Sequence, residues 1–177
     1  MKKVLLACLL ATLSFQANAA LNVGDMAPDF TAEATLAGNV FTYSLHDALK
    51  SGPVVLYFYP AAFTSGCTIE AHDFAEAVDK YKALGATVIG VSHDPIDTLK
   101  RFSVSECRSK FAVVADTDGH IMKAYDSVMF LLPSYASRTS YVIAPIGKIL
   151  YVYSSLSPGK HVANTLDALQ KWVDTTH

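Results

Sequence analysis

Pro53-Val54-Val55-Leu56-Tyr57-Phe58-Tyr59 runs straight into Pro60-Ala61-Ala62-Phe63-Thr64-Ser65-Gly66-Cys67. The first seven residues are an unbroken β-branched and aromatic run, which suits a central strand buried on both faces. The residues after it have loop composition. Phe74, Val78, Tyr81 and Leu84 then recur at helical spacing, with Glu70 and Asp73 in the first turns and Gly85 past the last one. A helix is therefore predicted over about 67–84. Cys67 stands where the loop becomes that helix.

Working outward, residues 86–91 read as the next buried strand. Asp94-Pro95 offers a cap residue followed by proline at the first helical position, opening a helix through Leu99 and Phe102. A short strand is predicted over 111–115 and a short helix over 119–125. Residues 139–144 and 149–153, joined by a turn at Pro145-Ile146-Gly147-Lys148, make a β-hairpin. The last helix covers about 160–173. The stretch 126–137 contains Met129-Phe130-Leu131-Leu132-Pro133, an apolar loop of the kind that usually covers a core. It can instead wall a pocket or meet a second subunit. The element order gives an α/β fold, a central mixed β-sheet flanked by helices. Right-handed crossovers bring the end of the 53–59 strand, and with it Thr64 and Cys67, to a crevice.

The 177 residues, 51% of them hydrophobic, suffice for one domain with a sizeable core. A net charge of −2 with no basic stripe excludes nucleic acid as a partner. Met1-Lys2-Lys3, the apolar run 4–15 and Ala17-Asn18-Ala19 have the three-part layout of an export signal over 1–19, cut before Ala20. The run is shorter than the roughly 20 apolar residues that a membrane anchor needs. The expected product is a single domain, 20–177, periplasmic or secreted and free of the membrane. Cleavage removes Cys8 and leaves Cys67 and Cys107, which in an oxidising compartment form a structural bridge or do redox chemistry. A domain of this size needs no staple, which favours redox chemistry. The six histidines show no metal-ligand spacing, so neither metal nor cofactor is expected.

A thiolate at a helix start is stabilised by unpaired backbone N–H groups and by the helix dipole. Pro60, Thr64 and Cys67 also form a P-x-x-x-T-x-x-C pattern directly after an apolar strand, and Cys67-Thr68-Ile69-Glu70 continues it. Arg138-Thr139-Ser140-Tyr141-Val142-Ile143 opens a later strand. Together these resemble the peroxiredoxins, specifically the bacterioferritin-comigratory-protein (Q-type) branch, over roughly 23–173. The resemblance implies a thioredoxin-like fold. It also implies a thiol peroxidase that reduces hydrogen peroxide and organic hydroperoxides and is recycled by a thioredoxin-like dithiol.

In that chemistry Cys67 attacks the O–O bond, and Arg138 supplies a permanent cation for the thiolate and the leaving oxygen. Thr64 accepts from Arg138 while holding the peroxide or the thiolate, and the Gly66 and Cys67 amides complete an oxyanion hole. Pro60 shields the sulfur, and Glu70 orients Arg138. Each residue also has a structural reading: Thr64 as a helix-entry residue, Pro60 as a strand terminator, Arg138 as an ordinary surface arginine.

Many Q-type members carry a second cysteine five residues after the first; here that position is His72, read as a solvent-side residue. Cys107 is then the expected resolving cysteine, at or just past the end of the helix that follows the second strand. The bland alternative is a small core residue in a one-cysteine enzyme. A monomer is expected. Two other functions share the fold. A thiol–disulfide oxidoreductase needs C-x-x-C, but Glu70 stands three residues after Cys67. A copper-binding chaperone-like module needs a nearby pair of cysteines.

Overall fold

The structure, a computed structural model, describes residues 20–176; the expected leader with Cys8, and His177, lie outside the described residues. The chain opens with a hairpin, β1 (Thr31–Leu36) and β2 (Asn39–Ser44), then α1 (Leu45–Ser51). The predicted unit follows as β3 (Val54–Phe58), α2 (Ser65–Ala83) and β4 (Thr87–Ser92). After it come α3 (Ile96–Ser105), β5 (Ala112–Ala115) and α4 (His120–Ala124). A small hairpin, β6 (Val128–Met129) with β7 (Leu132–Ala136), stands apart from the main sheet. β8 (Thr139–Ile143) and β9 (Ile149–Ser154) lead through a short 3-10 turn into α5 (His161–Thr176).

Seven strands pair in the order β2-β1-β5-β4-β3-β8-β9. β3, β4 and β5 are parallel, while β8 runs antiparallel to β3. All five residues of β3 are buried, as the unbroken apolar run predicted. Val55 and Tyr57 face a core shared with α2, α3 and α5, whereas Val54, Leu56 and Phe58 face one shared with α1 and α4. Helices thus cover both faces. On α2, Phe74, Val78 and Tyr81 are buried, each stabilising the fold by roughly 1.5–3 kcal/mol.

Two features position the site. β8 is antiparallel to β3 with Thr139 opposite Phe58, so the residue before β8, Arg138, arrives where β3 exits toward Cys67. Tyr57, buried and stacked on Phe74 at 4.3 Å between centroids, lies across from Gly90 on β4. A Cβ at Gly90 would come within 2.9 Å of the Tyr57 ring, so this strand position has to be glycine.

The structure corrects several expectations. α2 starts at Ser65, two residues early, because Thr64 already takes the extended cap conformation. Pro95, rather than Asp94, occupies the cap position of α3. The 126–137 stretch is a hairpin whose tip residues Phe130 and Leu131 are 95% and 80% exposed, so its tip covers no core within this chain. No helix among the described residues is long and apolar enough to cross a membrane.

Replacing Gly90 by Ala should cost about 1–3 kcal/mol, because the Tyr57 ring has no free space to retreat into. Chemical denaturation should show the loss as a lower midpoint at an unchanged slope.

Candidate active site

The first backbone bond of α2 runs from the Thr68 N–H to the Thr64 carbonyl at 2.9 Å. The amides of Ser65, Gly66 and Cys67 therefore precede the helical ladder and remain available to an anion. Cys67 lies in this first turn, 1% exposed. The loop leading to it is held from three sides. Asp94 accepts from the Ala62 N–H at 2.7 Å and from the Ser92 hydroxyl at 2.8 Å. The Thr64 hydroxyl donates to the Ala61 carbonyl at 3.0 Å. Phe63, at φ +64°, folds its ring edge-on to Phe102 at 5.3 Å. A bulky residue in the left-handed region is strained, and such strain gathers at functional loops.

Arg138 is 5% exposed and spends each of its nitrogens differently. Nη2 donates to the Cys67 Sγ at 3.4 Å, Nη1 donates to Glu70 Oε2, and Nε donates to the Leu156 carbonyl at 3.0 Å. The fork of one guanidinium thus links thiol, carboxylate and backbone, which an ammonium cannot reproduce. Gly66 permits the approach, since a Cβ there would meet Nη2 at 3.0 Å. Glu70 is fully buried, and burial pushes its carboxyl up to about 8 against the pull of Arg138. Beside it lies His161, also fully buried, which the sequence reading passed over because a single histidine opening a helix carries no pattern.

The structure brings Cys67, Arg138 and Glu70 together. Pro60 sits half-buried at the exit of β3. Thr64 stands at the cap position of α2 without a side-chain cap bond, and its hydroxyl is engaged by Ala61 rather than by Arg138. Asp94 ties down the loop that leads to Cys67, a role that its reading as a helix cap did not anticipate.

Cys107 lies just past α3, fully buried in the same aromatic cluster as Cys67, with Tyr57, Tyr59, Phe102 and Phe111. Both thiols are free. Burial, with Glu106 next to it, pushes the Cys107 thiol well above its usual range. Its flanking residues are clamped to α2. Glu106 pairs with His72 at 2.9 Å, and Arg108 pairs with Glu76 at 3.0 Å. His72 is therefore not a plain solvent-side residue. Arg108 and Ser109 follow at φ +51° and +55°, two consecutive side-chain-bearing residues in the left-handed region. Such residues cost roughly 1–2 kcal/mol each.

A parallel strand leading through a tight loop to a cysteine in the first turn of a helix, on a thioredoxin-like sheet, defines a thiol-reactive α/β protein. Residues 23–152 match the AhpC/TSA family. Peroxiredoxin Q, chloroplastic, of Triticum aestivum is 34% identical over 148 residues, covering 83% of this chain; the chain spans 66% of that relative's length. The crystal structure of peroxidoxin BcpB from Mycobacterium tuberculosis superposes with a TM-score of 0.76 and 31% identity, over 84% of this chain and 96% of that one. A point mutant of Xylella fastidiosa PrxQ shares the fold with a TM-score of 0.76 at 24% identity, over 87% of this chain and 98% of the other. The chain belongs to the AhpC/TSA family, in its Q-type peroxiredoxin branch.

Arg138→Met should slow oxidation of Cys67 by about 10²–10³, the usual loss for one charged partner of a developing oxyanion. Arg138→Lys should recover only part of it. Stopped-flow measurement of Cys67 oxidation by hydrogen peroxide checks both.

Proposed function

We propose that this protein is a thiol peroxidase in which Cys67 reduces hydrogen peroxide and organic hydroperoxides. The observation that carries the reading is the Arg138 Nη2 donating to a buried cysteine sulfur in the first turn of a helix. The Cys67 thiolate attacks one oxygen of the O–O bond, and the electron pair of that bond leaves with the other oxygen. Cys67 becomes a sulfenic acid, and the departing alkoxide or hydroxide takes up a proton. Arg138 and the free amides of Gly66 and Cys67 oppose the charge that develops on the leaving oxygen. Thr64 sets the helix start that presents those amides. Pro60 and the Asp94-anchored loop hold the entrance around the sulfur.

Cys107 acts as the resolving thiol. Its sulfur attacks the sulfenic sulfur, expels water and leaves a Cys67–Cys107 disulfide, which a thioredoxin-like dithiol reduces by exchange. Bridging needs the two Cα atoms within about 7 Å. Of the two segments whose local unwinding would serve this, the first turns at Cys67 and the stretch around Cys107, the second is the one proposed to move. The consecutive left-handed residues Arg108 and Ser109 support this, because release relieves their strain. Residues 1–19 direct export to the periplasm or beyond and are removed, leaving the domain 20–177. The family match begins at residue 23, just after the proposed cut, which fits this division. The protein acts as a monomer.

Cys67→Ser should abolish peroxide-dependent consumption of a thioredoxin-like dithiol, because a serine hydroxyl does not ionise near neutrality. Retained turnover in this variant would assign the chemistry elsewhere.

Mass spectrometry without reductant, after one equivalent of peroxide, should find a linked Cys67–Cys107 peptide that is two hydrogens lighter. In Cys107→Ser the sulfenic acid on Cys67 should instead persist and over-oxidise on further exposure. Equal amounts of a singly oxygenated Cys67 in wild type and Cys107→Ser would remove Cys107 from the cycle.

A further inference from the structure

At the end of the sheet away from Cys67, where β4 and β5 begin, lies a cavity of about 270 Å³. That is just below the roughly 300–1,000 Å³ of sites that hold drug-sized ligands. The β1–β2 hairpin supplies Leu36 and Phe41, the end of α2 supplies Val78 and Lys82, and Lys110 and Phe111 close it ahead of β5. Leu36 and Phe41 keep 39% and 41% of their surface in solvent, so the mouth is apolar as well. Lys82 and Lys110 are the two charged residues of the lining. Neither ammonium pairs with a carboxylate among the described residues. Tyr43, also in the wall, has a buried hydroxyl with no hydrogen-bond partner among the described residues. Burial pushes that phenol up, so it stays a donor. The Tyr81 hydroxyl, by contrast, is already engaged by Thr165. An apolar chamber with a donor that lacks an acceptor and two cations that lack a counter-charge is complementary to a carboxylate on an apolar tail.

We propose that this cavity binds a medium-chain alkyl carboxylate, and that its occupation slows formation of the Cys67–Cys107 disulfide. The tail lies against Phe41, Val78 and Phe111, and a carboxylate oxygen accepts from the Tyr43 hydroxyl. Lys82 and Lys110 balance the charge from the rim, which Coulomb attraction does without direct contact. The chamber joins the end of α2 to the segment that carries Cys107. The Lys110 N–H donates to the Cys107 carbonyl at 2.9 Å, and the Phe111 ring stands edge-on to Tyr57 and Phe74 at 6.0 and 6.4 Å. A ligand held by both walls needs that segment seated against α2. Binding to the seated form alone draws population away from the opened one. The effect on the disulfide rests on Cys107 being the resolving thiol; the binding does not.

Isothermal titration of the reduced protein with sodium decanoate tests the site. Binding should saturate at one ligand per chain and tighten by up to about fourfold per methylene from hexanoate to decanoate. Tyr43→Phe, which deletes a hydroxyl that no other residue uses, should weaken decanoate about tenfold. Lys82→Gln combined with Lys110→Gln should weaken it by about the same factor and leave the binding of neutral decanol unchanged. Both variants alter unpaired groups, so the fold should persist, as cooperative melting checks. The second measurement follows the disulfide after one equivalent of peroxide. With decanoate at ten times its Kd, the bridge should form about tenfold more slowly, while sulfenic acid appears on Cys67 at its usual rate. No saturable decanoate binding, or equal affinity in wild type and both variants, would overturn the site. Saturable binding with an unchanged disulfide rate would overturn the coupling. A wild type that forms no such disulfide even without decanoate would sink the resolving role of Cys107 and the coupling with it, while the titration still decides the site.

Discussion

The site depends on one buried cation. Arg138 is taken out of water together with Glu70, and leaving either partner alone would cost about 3–5 kcal/mol. The pair therefore constrains which segments meet. α2 must bring Glu70 one helical turn below Cys67, and the chain must enter β8 beside the exit of β3. β9 and the turn after it must pass close enough for Leu156 and Ser155 to offer carbonyls to Arg138 and His161. The result is a small charged core in an otherwise aromatic interior, with Arg138 joining it to the sulfur.

Cys67 and Cys107 show how much a thiol's character depends on its neighbours rather than on its burial. Both are buried in the same cluster, beneath the stacked rings of Tyr57, Tyr59, Phe74 and Phe102. Cys67 meets a guanidinium and the free amides of a helix start, donors placed to hold an anion. Cys107 meets rings and a carboxylate neighbour, which favour the neutral thiol. The clamps Glu106–His72 and Arg108–Glu76 hold the second segment against the helix that carries the first cysteine. They are surface or partly buried pairs, worth about a kcal/mol or less each, and so open at little cost.

Much of this was legible in the chain itself. The strand–loop–helix unit around Cys67, the second parallel strand, the β8–β9 hairpin and the last helix each repeat a local period of two or 3.6 residues, or a buried apolar run. The β1–β2 hairpin has no such signature. Four of the six residues of β2 are exposed, so no alternation marks it. The β6–β7 hairpin is likewise too short and too exposed to differ from a loop in sequence. Cys67 could be picked out by its place at a helix start, and Arg138 and Pro60 because the segments that hold them resemble those of the peroxiredoxins.

What the sequence by itself determined is where the thiol stands, because a buried strand, a loop and a helical period mark that position, while the cation that accompanies it was implied by the family resemblance. The resemblance implied that Glu70 orients Arg138, but the sequence could not reveal that the two are buried together, that His161 faces the same carboxylate, or that Asp94 anchors the Cys67 loop instead of capping a helix. Those contacts join segments far apart in the chain. Their existence turns on strand order and register, on which face of α2 turns inward, and on where β9 hands over to α5. None of these leaves a period in the sequence, and only the packed tertiary structure decides them.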